Sequence, residues 1–337
     1  MSPTTPTCPK NLPGELWGII GIFNPAGYGN KLTNLELATA SMRKQGLKLL
    51  IVELAFSDAS FEVPESMGDR IERCRTATIL WQKERLLNIG LRRLPPECDK
   101  VVWLDADILF ENDNWVAETS RLLESYIVVQ PFDTACWLPK GMTSAPEQSF
   151  FGYGNREGQS LPGMAYTMSK AEDKREALSS YFKHGHTGFA WAIRRAVLDK
   201  HGLYDCQILG NGDFVMGHAM YGSEDFWNGH NWECNRLSPQ LLTHITAWSR
   251  KFYEDVRGSV FYVPGRTVHL WHGNQADRQY DDRLLFSRSA ISTRTPIWRW
   301  MQMTAGCGTA TNLPYTVGRP TTSGRARKNS HIRTGNR

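Results

Sequence analysis

The residues best suited to chemistry lie in the stretch KVVWLDADILFENDNW, which covers residues 100–115. Asp105 and Asp107 follow an apolar run directly, and the small Ala106 between them leaves room for a ligand. Residues two apart on a strand share one face, so we expect the two carboxylates on the same side. Close carboxylates repel unless a positive group joins them, and such oxygens suit Mn²⁺ or Mg²⁺. A divalent-cation site is therefore expected here; two solvated acids at a strand end are the alternative.

Two histidines near the other end of the chain supply further candidate ligands. His269 and His272 flank a tryptophan in the segment VHLWHG, residues 268–273. We expect His269 to bind the cation and His272 to be its rival. The alternative is that each imidazole is an ordinary core side chain packed on an apolar strand.

The strands and helices that must position these residues are predicted to form an α/β fold. Apolar runs over 16–23 and 47–56 enclose a helical pattern over 31–46, which predicts a right-handed βαβ unit. A long helix is predicted over 72–95 and a third central strand over 100–110. The alternation predicts a mixed, mainly parallel central sheet with helices on both faces. In such sheets ligands bind beyond the carboxyl ends of the strands, where the aspartates lie.

The rest of the chain is less regular. Residues 137–168 are rich in Gly, Pro, Ser and Met and have little periodicity, which is typical of a functional loop. A strand and helix are predicted over 188–202, a helix over 239–258, and two strands with a kink between them over 259–273.

Composition narrows the protein class. The 337 residues carry a formal net charge of +5, and much of the excess lies in a polar basic tail that we expect to be disordered. The seven cysteines include no Cys-x-x-Cys pair, and no apolar run reaches the length of a membrane span. These features favour a cytoplasmic protein with reduced thiols. They leave the oligomeric state open.

With these motifs in place, the chain resembles the GT-A glycosyltransferases, most closely the family 2-like group with an Asp-x-Asp motif, over about residues 16–285. The resemblance implies a Rossmann-like GT-A fold, a nucleotide-diphosphate sugar as donor, a UDP-sugar above all, and Mn²⁺ or Mg²⁺ as cofactor. It implies transfer of a hexosyl group to a hydroxyl acceptor, such as a glycan or a modified base in nucleic acid.

The resemblance also implies roles for residues on the donor side. Asn24, in the loop FNPAGYGN, matches the place where the family seats the nucleotide base. Glu53 ends the second strand and would face base or ribose, although a surface acid is an equal alternative. Lys83 would lie near the nucleotide, and Asp105 with Ala106 near ribose or sugar.

Further roles follow from the same resemblance on the metal and acceptor sides. Asp107 would bind the metal together with His269 or His272, and Arg278 would pair with the diphosphate. Asp213, in GNGDF, would be the catalytic base, a role that implies inversion at the anomeric carbon. An aspartate that caps the following helix is the alternative. The fallback candidates for the base are Glu224 and Asp225.

The predicted organisation divides the chain into five parts. These are an N-terminal tail (1–15), a nucleotide-sugar-binding half (16–135), an irregular lid or acceptor insertion (136–180), an acceptor-binding and metal-completing half (181–290), and a C-terminal extension with the basic tail (291–337).

Two other functions remain open from the sequence. One is a haloacid-dehalogenase-like phosphatase with Asp105 as nucleophile, although in that group the motif normally opens the domain and here about a third of the chain precedes it. The other is a non-catalytic module that binds a sugar or nucleotide.

Overall fold

The computed structural model describes residues 9–25, 27–77, 82–145, 150–151, 158–207, 210–229 and 237–273. The strands within these ranges are β1 (Glu15–Phe23), β2 (Lys48–Phe56), β3 (Arg70–Thr76), β4 (Cys98–Leu104), β5 (Ile108–Phe110), β6 (Val128–Gln130), β7 (Thr134–Trp137), β8 (Phe150–Phe151), β9 (Gln159–Pro162), β10 (Ala190–Arg194), β11 (Val260–Tyr262) and β12 (Arg266–His269).

The helices alternate with the strands in the first half of the chain and dominate the second half. They are α1 (Lys31–Lys44), α2 (Lys83–Leu91), α3 (Trp115–Ser125), α4 (Met164–Lys170), α5 (Lys174–Ala177), α6 (Tyr181–His184), α7 (Arg195–His201), α8 (Gly212–Tyr221), α9 (Glu224–Trp227) and α10 (Pro239–Val256). The longest of them, α10, begins where Ser238 accepts a hydrogen bond from the backbone N–H of Leu241.

A seven-stranded sheet forms the centre, in the order β11-β6-β10-β4-β1-β2-β3. Strands β4, β1, β2 and β3 are parallel, and β10 is antiparallel to both of its neighbours. The inner strands are apolar almost throughout because both faces of the sheet are covered, by α2, α7 and α10 on one side and by α1 and α3 on the other. The predicted α/β class, with a mainly parallel sheet and helices on both faces, is confirmed.

A second sheet, in the order β5-β12-β7-β9-β8, adjoins the carboxyl end of β4. The predicted third strand therefore ends at Leu104, and the chain turns through residues 105–107 before it enters β5. The rule that residues two apart share one strand face does not apply to the two aspartates, since neither lies in a strand.

Two predictions about local structure are wrong. Part of the helix predicted over 72–95 is strand β3, and the helix itself covers only Lys83–Leu91. The sequence RIERCRT looks helical because β3 is an edge strand whose side chains are mostly half-buried, so it alternates weakly. The stretch 137–168 is also more regular than predicted, since it contains β9 and the start of α4, which are too short to produce a clear period.

Candidate functional site

The pairing of β5 with β12 brings together residues that are far apart in the sequence. In this antiparallel ladder His269 is paired with Ile108, the residue after Asp107. The backbone N–H of Leu270 then donates to the carbonyl of Asp107 at 2.8 Å. The ladder therefore places the last residue of β12 beside the turn that carries the aspartates.

Asp107, His269 and His272 form one cluster at this point. The Nε2 atom of His269 lies 3.5 Å from one carboxylate oxygen of Asp107, and the Nε2 atom of His272 lies 3.1 Å from the other. Candidate ligand atoms of the three side chains all lie within 4.8 Å of one another. His269 is buried, while the other two side chains are partly exposed, so the cluster opens towards solvent on one side.

This donor set fits a divalent transition cation. One carboxylate and two imidazoles can occupy three positions around an ion and leave the others open for substrate oxygens or water. Imidazole is a common ligand of divalent transition metals, whereas Mg²⁺ prefers oxygen ligands throughout. Within the part of the chain that the structure describes, this is the cluster of three or more His, Cys, Asp or Glu side chains that could hold a metal ion.

Asp105 belongs to a different cluster, which is built around a buried lysine. The ammonium of Lys83, at the start of α2, lies 2.5 Å from a carboxylate oxygen of Asp105 and 3.0 Å from one of Asp213. Asp213 lies in the first turn of α8 and also accepts a hydrogen bond from the indole N–H of Trp103. Its carboxylate is thus directed at Lys83.

The electrostatics of this cluster keep the lysine charged. Burial alone would lower the pKa of Lys83, but the carboxylates of Asp105 and Asp213 reverse that effect and hold it well above its ordinary value. Burial and the nearby Asp105 raise the pKa of Asp213, although Lys83 opposes the shift. A carboxylate with a raised pKa is a better proton acceptor than an ordinary aspartate.

A third carboxyl group, Glu84, lies against this cluster and was not predicted from the sequence. Burial raises the pKa of this carboxyl, and the nearby ammonium of Lys83 opposes the shift. Its carboxyl lies close to the backbone of Gly212 at the start of α8, where a Cβ atom would be 2.2 Å from a Glu84 oxygen. The glycine before Asp213 is therefore required by close packing. No sequence signal separates Glu84 from the other charged residues of its helix.

An open cleft lies over the carboxyl ends of β1 and β2. Its lining includes Asn24, Lys31, Leu32 and Glu53. Because β4 is the other neighbour of β1, the cleft and the two aspartates lie along the same edge of the sheet.

Two side chains predicted to contact the nucleotide also shape the walls of this cleft. Glu53 accepts hydrogen bonds from the backbone N–H groups of Glu62 and Val63 at 2.5 and 3.1 Å, and burial raises its pKa. Asn24 exchanges two hydrogen bonds with the backbone of Tyr28. Both side chains line the cleft and hold its loops, so their contact with a nucleotide stays a prediction.

A strained residue separates the two charged clusters. Phe189 has a φ of 74°, which is unusual for a bulky residue. Its carbonyl accepts a hydrogen bond from the backbone N–H of Asp105, and its ring stacks on His269 with centroids 5.3 Å apart. Strain of this kind is commonly found at functional sites.

The remaining predicted residues lie elsewhere or outside the description. Ala106 is half-buried in the turn between the two aspartates, and Arg278 lies outside the described residues. The fallback bases form other ion pairs: Asp225 binds Arg175 through two 2.8 Å hydrogen bonds, and Glu224 lies 3.7 Å from Arg250. No helix among the described residues is both long and apolar enough to cross a membrane.

Comparison with known proteins gives no assignment from sequence. No protein-family model matches the chain, and no curated protein matches it.

Solved structures give distant likenesses. Staphylococcus aureus TarS 1-349 in complex with UDP-GlcNAc matches 60% of this chain at 12% identity, with a TM-score of 0.34. A mutant of Drosophila β1,4-galactosyltransferase 7, in complex with manganese, UDP-Gal and xylobiose, matches 79% of this chain at 12% identity, with a TM-score of 0.39. Mycobacterium tuberculosis glucosyl-3-phosphoglycerate synthase, in complex with Mn²⁺, UDP and glucosyl-3-phosphoglycerate, matches 82% of this chain at 10% identity, with a TM-score of 0.38.

The extent of these matches differs. The match covers 52% of the TarS chain, so this protein corresponds to about half of it, against 74% of the galactosyltransferase and 80% of the synthase. At such low identities and TM-scores the likenesses establish neither a family nor an activity for this chain.

Proposed function

We propose that this protein is a metal-dependent glycosyltransferase of the GT-A type, which moves a hexosyl group from a nucleotide-diphosphate sugar, a UDP-sugar above all, to a hydroxyl acceptor. The observation that carries the proposal is the Asp107–His269–His272 cluster, placed at the same sheet edge as an open cleft lined by Asn24, Lys31 and Glu53. A cation site at the edge that also carries a polar cleft suits a ligand with a ring at one end and a diphosphate at the other.

The described residues divide the chemistry between them. A divalent cation at the cluster, Mn²⁺ or Mg²⁺, would supply positive charge against a departing diphosphate. Asp107, His269 and His272 would hold that cation, and Asn24 and Glu53 would shape the cleft for the nucleotide. Arg278 would assist at the diphosphate.

On the acceptor side, Asp213 would accept the proton of the attacking hydroxyl. Lys83 fixes the orientation of this carboxylate from one side, and its other contact, with Asp105, ties the base to the donor side. A base in this position implies inversion at the anomeric carbon. The acceptor class stays open between a glycan and other hydroxyl compounds, since the basic tail that would favour nucleic acid lies outside the described residues.

The test is donor turnover by the full chain. The protein would be incubated with a panel of nucleotide sugars, with Mn²⁺ or with a chelator, and released nucleoside diphosphate and free phosphate would be measured separately. We expect nucleoside diphosphate to be released from one donor in Mn²⁺ only, and Asp107→Ala to lower the rate at least about 100-fold. Asp113→Ala, an exposed aspartate nearby, is the matched control.

Three outcomes would contradict the proposal. Release of free phosphate, lost in Asp105→Asn, would identify the phosphatase. Donor binding without turnover of any donor and acceptor would identify a binding module. Turnover that a chelator leaves unchanged would exclude the metal from the mechanism.

A further inference from the structure

Helix α1 contacts the segment that carries the two histidines. The side-chain amides of Asn30 and Asn34 both donate a hydrogen bond to the backbone carbonyl of Trp271, at 2.7 and 3.1 Å. The two asparagines are four residues apart, so they lie on the same face of the helix. Their common acceptor lies 241 and 237 residues further along the chain.

The acceptor has a special position, because Trp271 lies between His269 and His272. Strand β12 ends at His269, so the sheet ladder no longer fixes the backbone that follows. Beyond that point, Leu270 is tied to the carbonyl of Asp107, and Trp271 is tied to α1. The orientation of His272 therefore depends on contacts from outside the sheet.

Asn30 supports this interpretation in a second way. It precedes the first residue of α1, a position where an asparagine usually caps the helix with its side chain. Here the side chain makes no capping hydrogen bond. Its amide is instead used for Trp271, so the residue serves the distant segment rather than its own helix.

We propose that Asn30 and Asn34 are positioning residues for the metal site, since they hold the carbonyl of Trp271 and with it the imidazole of His272. This inference rests on the proposed function in one respect, namely that Asp107, His269 and His272 bind a divalent cation. Neither asparagine contacts the cation; each acts through the backbone of the ligand segment.

The same turn of α1 also borders the cleft. Lys31 and Leu32, which follow Asn30, line the cleft, and the ammonium of Lys31 donates to the carbonyl of Phe23 at the end of β1. One turn of helix thus touches both the nucleotide side and the metal side of the proposed site. Residues that orient metal ligands from outside the coordination shell typically change metal affinity by about 10–100-fold when they are replaced.

The test is a calorimetric titration of the full chain with Mn²⁺, without nucleotide, for wild type, Asn30→Ala, Asn34→Leu and the double variant. The absorption spectrum of bound Co²⁺ would report ligand geometry independently of activity. Thr39→Val is the matched control, because Thr39 is buried on the same helix and bonds only to backbone carbonyls of that helix. Asp107→Ala serves as the reference for loss of the site.

We expect the Kd for Mn²⁺ to rise about 10-fold or more in the double variant, with a weaker change in each single variant because one amide still holds the carbonyl. The Co²⁺ spectrum should change, and Thr39→Val should bind Mn²⁺ like wild type. If Asn34→Leu does not fold, Asn30→Ala alone decides, since its loss removes no helix cap.

Unchanged Mn²⁺ affinity and an unchanged Co²⁺ spectrum in the asparagine variants, with binding lost in Asp107→Ala, would overturn this inference and leave the proposed function standing. Equal Mn²⁺ binding by wild type and Asp107→Ala would instead overturn the metal site, and the inference with it.

Discussion

The two aspartates of one short turn have opposite electrostatic surroundings. Asp105 meets the buried ammonium of Lys83, which it shares with Asp213. The partners described for Asp107 are two imidazoles, which carry positive charge only when they are protonated. The chain therefore supplies a permanent cation for the first aspartate, and the arrangement around the second suits a cation from solution.

This difference separates a cluster that is charge-balanced within the chain from one that needs an added cation. The lysine cluster contains both the ammonium and the carboxylates that balance it, so it needs no ligand. The Asp107 cluster has the donors of a metal site and an open side. We therefore expect substitutions in the first cluster to change the stability of the fold, and substitutions in the second to change metal binding with little effect on stability.

The largest effect is expected at Lys83. Lys83→Met would leave two carboxylates close together without their cation, and the loss of one partner from a buried ion pair typically costs about 3–5 kcal/mol. Urea denaturation would measure the free energy of unfolding. The double variant Lys83→Met/Asp213→Asn should be less unstable than the lysine variant alone, since it removes one of the uncompensated charges.

Lys48→Met is the control for this prediction. Lys48 forms an ion pair with Glu15 at 2.5 Å, but both side chains are largely exposed, so its loss should lower the free energy of unfolding far less than the loss of Lys83 does. Equal costs for the two lysines would show that the buried cluster carries no special electrostatic energy.

Two buried histidines, His184 and His218, differ from Lys83 in that neither has a charged partner among the described residues. The rings of His184 and His218 lie 5.2 Å apart, and burial lowers the pKa of His184 from 6.5 to about 4. The unfolded chain thus takes up a proton first as the pH falls. Stability should be complete above pH 6.5 and fall by about 3 kcal/mol as the pH drops towards 4.

Urea denaturation at several pH values would measure this slope, and His184→Phe should flatten it. An equal slope in wild type and variant between pH 6.5 and 4 would assign the acid sensitivity to other groups.

The smallest effect is expected at Asp225, the fallback candidate for the base. Its ion pair with Arg175 lies at the surface, so Asp225→Asn should cost less than about 1 kcal/mol and leave turnover nearly unchanged. Asp213→Asn should lower kcat by about 100-fold or more at saturating donor. If turnover were lost in the Asp225 variant and kept in the Asp213 variant, Asp225 and not Asp213 would be the catalytic base.

The fold was predictable where a segment has one strong period. Strands β1, β2 and β4 are continuous apolar runs, and α1 ends at Lys44, two residues before Gly46, whose φ is 88°. Strand β3 was not predictable, because its identity comes from parallel pairing with β2 at the sheet edge rather than from its own pattern.

The candidate site shows the same limit. Asp107, His269 and His272 carry residue types and neighbours that indicate metal binding, and the structure brings all three together. Lys83 was expected near a nucleotide, and the structure shows it between two carboxylates. Asn34 was not foreseen, since its partner is a backbone carbonyl, and the sequence does not mark which carbonyl a distant side chain will meet.

The proposed function requires that the chain bind a divalent cation at Asp107, the second aspartate of the turn. The most direct measurement is an anomalous difference map from crystals of the full chain grown with Mn²⁺ and UDP. We expect a peak about 2.0–2.4 Å from a carboxylate oxygen of Asp107 and from an imidazole nitrogen of His269 or His272. A map with no peak at these three side chains, or with its peak between Asp105 and Asp213, would contradict the proposal.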